Sequence, residues 1–362
     1  MSAKCLLIGS PEAYSGKSAV ILGMLHRFQQ MGFNLAYSKP VGTCPSEAGD
    51  DLDEDVRFIA ETLGLSSSQI LATLLNLDQA TIAQRISGDD TTNYLQEFVR
   101  VAQAQVGDLV LIEGPGTLDE GRLFGLSLPQ MAVALNAEVV LVSRFHSELV
   151  IDSLLAAQER LGDRLVGVLI NDVPADQMQQ VEAQVRPYLE GVGIPVLGIF
   201  PRSALLRSVS VAELVHQLNA EVLCRGDRLD LMVEELKIGA MNVSSALKYF
   251  RKARNMAVVT GGDRTDIQLA ALETSTHCLI LTGQIPPTQA TLARAEEMEI
   301  PVLSVDLDTL TTVEIIDRAF GQVRLHETIK VQYVQQMVEK HLNAERVLDT
   351  LGFKSVATTA SP

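Results

Sequence analysis

Leu6-Leu7-Ile8-Gly9-Ser10-Pro11-Glu12-Ala13-Tyr14-Ser15-Gly16-Lys17-Ser18 is the stretch that decides the fold. An apolar strand, Leu6–Ile8, runs into a loop ending Gly-Lys-Ser, and the helix that follows carries Val20, Ile21, Met24, Leu25 and Phe28 on one face. Strand, loop and helix N-terminus together make a phosphate cradle, because backbone N–H groups and the helix dipole face an anion there. Gly16, Lys17 and Ser18 are the candidate contacts, with Lys17 as a point charge and Ser18 as a hydroxyl ligand for Mg²⁺. The full pattern G-x-x-x-x-G-K-[ST] places a Gly where this chain has Pro11, and Gly9 lies two residues earlier. Proline removes one N–H donor and fixes φ. The competing reading is therefore a degenerate loop that keeps its shape and has lost its nucleotide.

Outward from this stretch, apolar runs recur at Leu109–Ile112, Val139–Val142, Val166–Ile170 and Pro195–Ile199, with amphipathic helical patterns between them. Such runs read as strands buried on both faces, and their alternation with helices predicts an α/β fold with a mostly parallel sheet. Ligands then belong at the carboxyl ends of the strands. A polar stretch near 218–228 separates a second, smaller α/β unit, with strands at Ala257–Thr260, Cys278–Leu281 and Val302–Val305. From His326 to Leu351, Val331, Val334, Val338 and Leu342 form a narrow apolar stripe, which predicts one long helix covering its own domain or a partner. The expected division is 1–220, 225–325, a C-terminal helix 326–351 and a flexible tail 352–362.

Lys+Arg 29 against Asp+Glu 45 leaves a net charge of −16, which disfavours duplex nucleic acid and anionic membranes as partners of the bulk field. The composition is 47% hydrophobic, enough for large cores. Four cysteines lie far apart with no C-x-x-C, which argues against a disulfide framework or a Cys-based zinc site and suits a reducing, cytoplasmic setting. The apolar run near the N-terminus, Cys5–Ile8, is too short for a signal peptide, and no run of the chain approaches the length of a membrane span.

Further candidates follow the strands. Lys39, in Ser38-Lys39-Pro40-Val41-Gly42-Thr43, is a fixed charge in a rigid turn beside the first loop. Glu47, Asp50, Asp51, Asp53, Glu54 and Asp55 form an acidic run that is either a solvated loop with a helix N-cap or a source of an Mg²⁺ ligand. Glu113, at the end of the Leu109–Ile112 strand and before Gly114-Pro115-Gly116, stands where a metal-orienting carboxylate belongs. Asn171 either reads a base edge or turns the chain. In the second unit, Gly261-Gly262-Asp263-Arg264 joins a strand to a helix, and Arg264 either grips phosphate or pairs with Asp263 or Asp266. An R-x-x-D spacing at Arg160–Asp163, a feature of some cyclic-dinucleotide sites, is common enough by chance to carry little weight.

Gly16-Lys17-Ser18, Lys39-Pro40-Val41 with Thr43, Glu113-Gly114 and Asn171 fall in the order found in dethiobiotin synthetase. They resemble still more the dethiobiotin-synthetase-like domain at the N-terminus of long bacterial phosphate acetyltransferases, over about residues 4–220. Residues 225–330 resemble the DRTGG domain that follows it there, through Lys237–Met241 and Gly261–Asp266. The resemblance implies a P-loop-type sheet flanked by helices, then a smaller DRTGG domain and a terminal helix, without the acetyl-transfer domain. It implies ATP and Mg²⁺ as cofactors. The nucleotide or phosphate contacts would be Gly16, Lys17, Ser18, Lys39, Thr43, Asn171 and Arg264, and the metal ligands Ser18, Asp53 and Glu113. The expected function is a non-catalytic regulator that senses a small anion, either ATP/ADP or a cyclic dinucleotide, acts through a protein partner and forms a homo-oligomer. An ATP-dependent ligase and a structural scaffold with a degenerate site are the alternatives.

Overall fold

The computed structural model describes residues 3–43, 52–321 and 327–353. Two compact units are present, one built from the chain up to Arg202 together with the segment after residue 325, the other from Ser203–Leu325.

The first unit runs β1 (Lys4–Gly9), α1 (Lys17–Gln30), β2 (Leu35–Ser38), β3 (Val41–Gly42), α2 (Glu54–Leu63), β4 (Ile70–Leu71), β5 (Leu75–Asn76), α3 (Gln79–Ser87), α4 (Tyr94–Gln103), β6 (Leu109–Glu113), α5 (Leu128–Leu135), β7 (Glu138–Arg144), α6 (Val150–Leu161), β8 (Leu165–Val173), α7 (Met178–Gln180), α8 (Arg186–Gly191) and β9 (Val196–Pro201). Its main sheet has seven strands in the order β4-β2-β6-β1-β7-β8-β9, and every pairing in it is parallel. β1 and β6 are central, and the register sets Ile8 beside Glu113. Leu109 to Glu113 are buried throughout, as befits a strand with helices on both faces. The phosphate-loop candidate and Glu113 thus leave adjacent strands at the same carboxyl edge.

The second unit runs α9 (Ala204–Arg207), β10 (Val209–Ser210), α10 (Val211–Leu218), β11 (Glu221–Cys224), β12 (Met232–Val233), β13 (Glu235–Ile238), α11 (Val243–Phe250), β14 (Met256–Gly261), α12 (Thr265–Leu272), β15 (Thr276–Thr282), α13 (Gln289–Glu297), β16 (Val302–Val305) and α14 (Thr309–Gly321). Its sheet has the order β11-β16-β15-β14-β13, with β11 antiparallel and the other pairings parallel. Val211, Leu214 and Leu218 of α10, which the sequence places at the end of the first domain, share a core with Ile316 and the second sheet.

The chain then returns to the first unit as α15 (Thr328–His341) and α16 (Ala344–Thr350). The single helix expected over 326–351 is thus two helices. Between them Leu342 is extended and bridges Gly198 antiparallel, and the Asn343 N–H donates to Leu197 O at 2.8 Å. β9 is the edge of the sheet, and the break supplies partners to a backbone otherwise left open. Asn343 then caps α16 through the Arg346 N–H. The narrow stripe has its explanation in α1: Val334 and Val338 of α15 press against Gly23, where a Cβ would meet Val338 Cγ2 at 2.3 Å. The tail expected over 352–362 lies outside the described residues from position 354 onward. Among the described residues no helix is long and apolar enough to cross a membrane.

Candidate functional site

The loop between β1 and α1 is held from several sides. Ser10, wholly buried, accepts the Glu12 N–H and donates to Glu12 O, so a side chain organises the turn beside Pro11. The Glu12 carboxylate accepts the Arg144 N–H at 2.9 Å and lies 3.1 Å from His146 Nε2. Asn171 Nδ2 donates to Ser15 O at 2.8 Å. Gly16 has φ of 89°, a left-handed conformation that favours glycine, and a Cβ there would meet the Asn171 amide at 2.5 Å. No side chain caps α1 and no acid lies in its first turn, so its leading N–H groups face the loop without an internal anion.

Lys17 is buried, and Nζ approaches Gly116 O at 3.4 Å. Burial lowers its pKa, against the opposing pull of Glu113 and Glu120. Ser18 Oγ donates to Glu113 Oε1 at 2.8 Å, while the wholly buried Tyr37 donates its phenol to Glu113 Oε2 at 2.7 Å. Burial and then the Glu113 charge push the Tyr37 phenol well above its ordinary value, so it remains a hydrogen donor.

Lys39 stands behind this pair. Its Nζ is 2.8 Å from Asp53 Oδ1 and 2.6 Å from Asp55 Oδ2. Burial alone would lower its pKa, but Glu113, Asp55 and Asp53 together outweigh it, and the ammonium is held above its usual value. Asp53 is the N-cap of α2, accepting the Asp55 N–H, and its other oxygen accepts the Thr43 N–H at 3.0 Å. The Asp53 carboxylate is thereby engaged by protein donors on both oxygens. Of the rest of the acidic run, Glu47, Asp50 and Asp51 lie outside the described residues.

The structure thus brings Gly16, Lys17, Ser18, Glu113 and Asn171 to one edge of the sheet, with Lys39, Asp53 and Thr43 linked to it through the field at Lys39. Arg264 lies in the other unit, where it pairs with Asp266 at 3.3 Å and donates to Met241 O at 2.9 Å. Arg160 of the R-x-x-D spacing pairs with Asp119 instead of Asp163. Sequence reading missed Tyr37, Ser15 and the Glu12 tether. Only the strand register reveals Tyr37: it pairs with Leu111, and Glu113 lies two residues further on the same face. It also missed Asp172, whose backbone is left-handed at φ of 60° and whose carboxylate receives Arg144 at 2.8 Å and Arg202 at 3.2 Å.

Two observations bear on whether a nucleotide and a divalent cation fit these residues. Ser15 Oγ is buried in the loop with no hydrogen-bond partner. Ser18 and Glu113 juxtapose a hydroxyl and a carboxylate, the oxygen set that suits Mg²⁺ when phosphate and water complete its shell. Among the described residues no three His, Cys, Asp or Glu side chains converge as a metal cluster, so protein groups alone do not build a cation cage.

The family described as AAA domain matches residues 4–210, and the DRTGG domain family matches residues 213–319. A phosphate acetyltransferase of Synechocystis sp. is 26% identical over 363 residues, covering 96% of this chain and 51% of that protein. The ATP-dependent dethiobiotin synthetase BioD of Pseudomonas aeruginosa is 29% identical over 195 residues, covering 52% of this chain and 85% of that one. Among solved structures, the CBS and DRTGG domains of the regulatory region of Clostridium perfringens pyrophosphatase, complexed with the activator diadenosine tetraphosphate, match at 20% identity and a TM-score of 0.28, over 40% of this chain and 71% of that one. The chain spans about half the length of the phosphate acetyltransferases it matches. With more than half of its residues matched by the first family, the chain belongs to the AAA domain family, in its dethiobiotin-synthetase-like P-loop form, and carries a DRTGG domain after it.

Proposed function

We propose that the protein is a nucleotide-binding regulator whose first unit holds ATP or ADP with Mg²⁺ on the loop before α1. The observation that carries this reading is the uncapped start of α1 next to a buried Lys17 and a Ser18–Glu113 pair. Backbone N–H groups of Gly16 to Ser18 and the Lys17 ammonium would take the phosphates; Ser18 and Glu113 would take the cation, which supplies charge neutralisation at the phosphate oxygens. The name of the dethiobiotin synthetase relative, ATP-dependent, supports adenine nucleotide as the first ligand to try. Lys39 and Thr43 belong to the support of the site through Asp53, and Asn171 to the support of the loop. Metal contact through Asp53 requires Lys39 and two backbone N–H groups to let go, so it is not part of this reading. The DRTGG unit, with Arg264, is the place for a second small anion; a protein partner and self-association complete the proposal.

Regulation is favoured over catalysis because the Lys39 ammonium, the cation best placed to hold a second substrate, is bound by Asp53 and Asp55. The second reading, an ATP-dependent ligase, has in its favour the convergence of Lys39 and Glu113 on one edge. Calorimetric titration with ADP and ATP in Mg²⁺ tests the proposal. Lys17→Ala removes a charge-assisted contact worth about 1.5–3 kcal/mol, so affinity falls by about tenfold or more with the fold retained. Equal affinity in the variant refutes the loop as the binding site. Steady ATP turnover dependent on an added amine selects the ligase reading.

A further inference from the structure

We propose that Tyr37 is a positioning residue that aims Glu113 at the cation site. The inference rests on the phosphate-loop reading and adds to it a residue that no motif contains. Glu113 has two carboxylate oxygens and each has one hydroxyl donor: Tyr37 at Oε2, 2.7 Å, and Ser18 at Oε1, 2.8 Å. The two donors differ in kind. Tyr37 is wholly buried on β2, next to the edge strand β4, and its hydroxyl is spent on Oε2. Ser18 is the second residue of α1 and a candidate cation ligand, and its hydroxyl turns about one bond. A cation on Ser18 Oγ takes the lone pairs of that oxygen, while its proton keeps Oε1 as acceptor. Tyr37 fixes the carboxylate plane throughout, so that Oε1 rather than Oε2 faces the serine and the cation beside it.

A carboxylate at the end of a strand has rotamer freedom of its own. Without the phenol, Oε2 loses its donor and the carboxylate is held at one oxygen only, by Ser18. Loss of the Tyr37 hydrogen bond therefore releases Glu113 to turn about its own torsions, with Ser18 as the one remaining hydroxyl donor. The expected consequence is a weaker response to Mg²⁺ with the phosphate cradle itself untouched, since the loop's own contacts run through Ser10, Glu12 and Asn171.

Tyr37→Phe keeps the ring and deletes only the hydroxyl. ADP binding is measured by calorimetry on the full chain, once with Mg²⁺ and once with EDTA, beside thermal melts. The expected result is unchanged affinity in EDTA and a Mg²⁺-dependent gain reduced by about tenfold or more, as for loss of a hydrogen bond to a charged group. Glu113→Gln removes the charge that Tyr37 orients, so it abolishes most of the gain, and adding Tyr37→Phe to it changes the gain no further. A Tyr37→Phe protein with the wild-type Mg²⁺ gain overturns the proposal, as does an equal loss with and without Mg²⁺, or a further drop on the Glu113→Gln background. Should Tyr37→Phe not melt cooperatively, Glu113→Gln alone decides: a full Mg²⁺ gain there overturns the proposal. Wild-type protein that binds no ADP in either condition overturns the phosphate-loop reading itself, and this inference with it.

Discussion

Gly23→Ala is the sharpest test of how the returning segment covers α1. The new Cβ would lie 2.3 Å from Val338 Cγ2, 2.8 Å from Val338 Cβ and 3.3 Å from Val334 Cγ1. The first two contacts are inside any real carbon–carbon approach, and Val338 cannot step aside, because a β-branched side chain in a helix has essentially one rotamer. α15 must therefore back away from α1. Overpacking of this kind costs about 1–3 kcal/mol, and two close contacts to one rigid side chain put this case near the top. Replacing a helical Gly by Ala returns about 1 kcal/mol through backbone entropy. The net expectation is a loss of about 2 kcal/mol, read as a lowered urea midpoint in the transition of the first unit. Val338→Ala deletes the Cγ2 that stands at 2.3 Å and keeps the Cβ at 2.8 Å, so in the double variant the clash is relieved in part and α15 has less far to back away. Gly23→Ala therefore costs less on the Val338→Ala background than in the wild type. A Gly23→Ala protein that is more stable than wild type by about 1 kcal/mol, as at a solvent-facing glycine, refutes the packing of α15 on this face.

Two further outcomes follow from charges in the same unit. Asp53→Asn removes the anionic partner of a buried Lys39, and breaking a buried pair on one side costs about 3–5 kcal/mol; a denaturation midpoint near the wild-type value would show that Asp55 and Glu113 hold Lys39 by themselves. Lys17 has a pKa lowered by burial, and an arriving phosphate raises it again, so nucleotide binding takes up protons as the pH climbs toward the free-state value and affinity falls with further increase. Calorimetry in buffers of different ionisation enthalpy reads that uptake, which Lys17→Ala abolishes.

What the sequence makes legible here is whatever a single element encodes. Leu109–Glu113 announces a doubly covered strand because every residue is apolar until the acid at its end, and Gly16-Lys17-Ser18 announces a helix start because a glycine, a lysine and a hydroxyl follow the strand Leu6–Ile8 at the turn. Asp53 as an N-cap is equally local. The pairs that decide the site are not local. Tyr37 and Glu113 are 76 residues apart, Glu12 and Arg144 132 residues apart, Asn171 and Ser15 156 residues apart, and none has a spacing that a motif can hold. At Pro11 the lost donor is visible in the string, and the structure adds the Ser10 hydroxyl, which closes the turn beside it by accepting the Glu12 N–H and donating to Glu12 O.

The break at Leu342–Asn343 carries this logic furthest. By periodicity the stripe from Val331 runs on through Leu342, and nothing in the segment itself forbids one continuous helix. The interruption is imposed by β9, an edge strand far earlier in the chain whose Leu197 carbonyl takes the Asn343 N–H. Asn is also a favoured N-cap, so the residue that leaves one helix starts the next at little cost. A glycine at 198 is required as well, since a Cβ there would meet His341 O at 2.8 Å. Edge strand, glycine and Asn thus form one device: the chain that leaves the second unit is pinned to the sheet edge by α16 and to the helix behind the phosphate loop by α15. Any ligand that shifts α1 along its axis must therefore also move Val334 and Val338, which places the returning segment in direct mechanical contact with the helix that begins at Lys17.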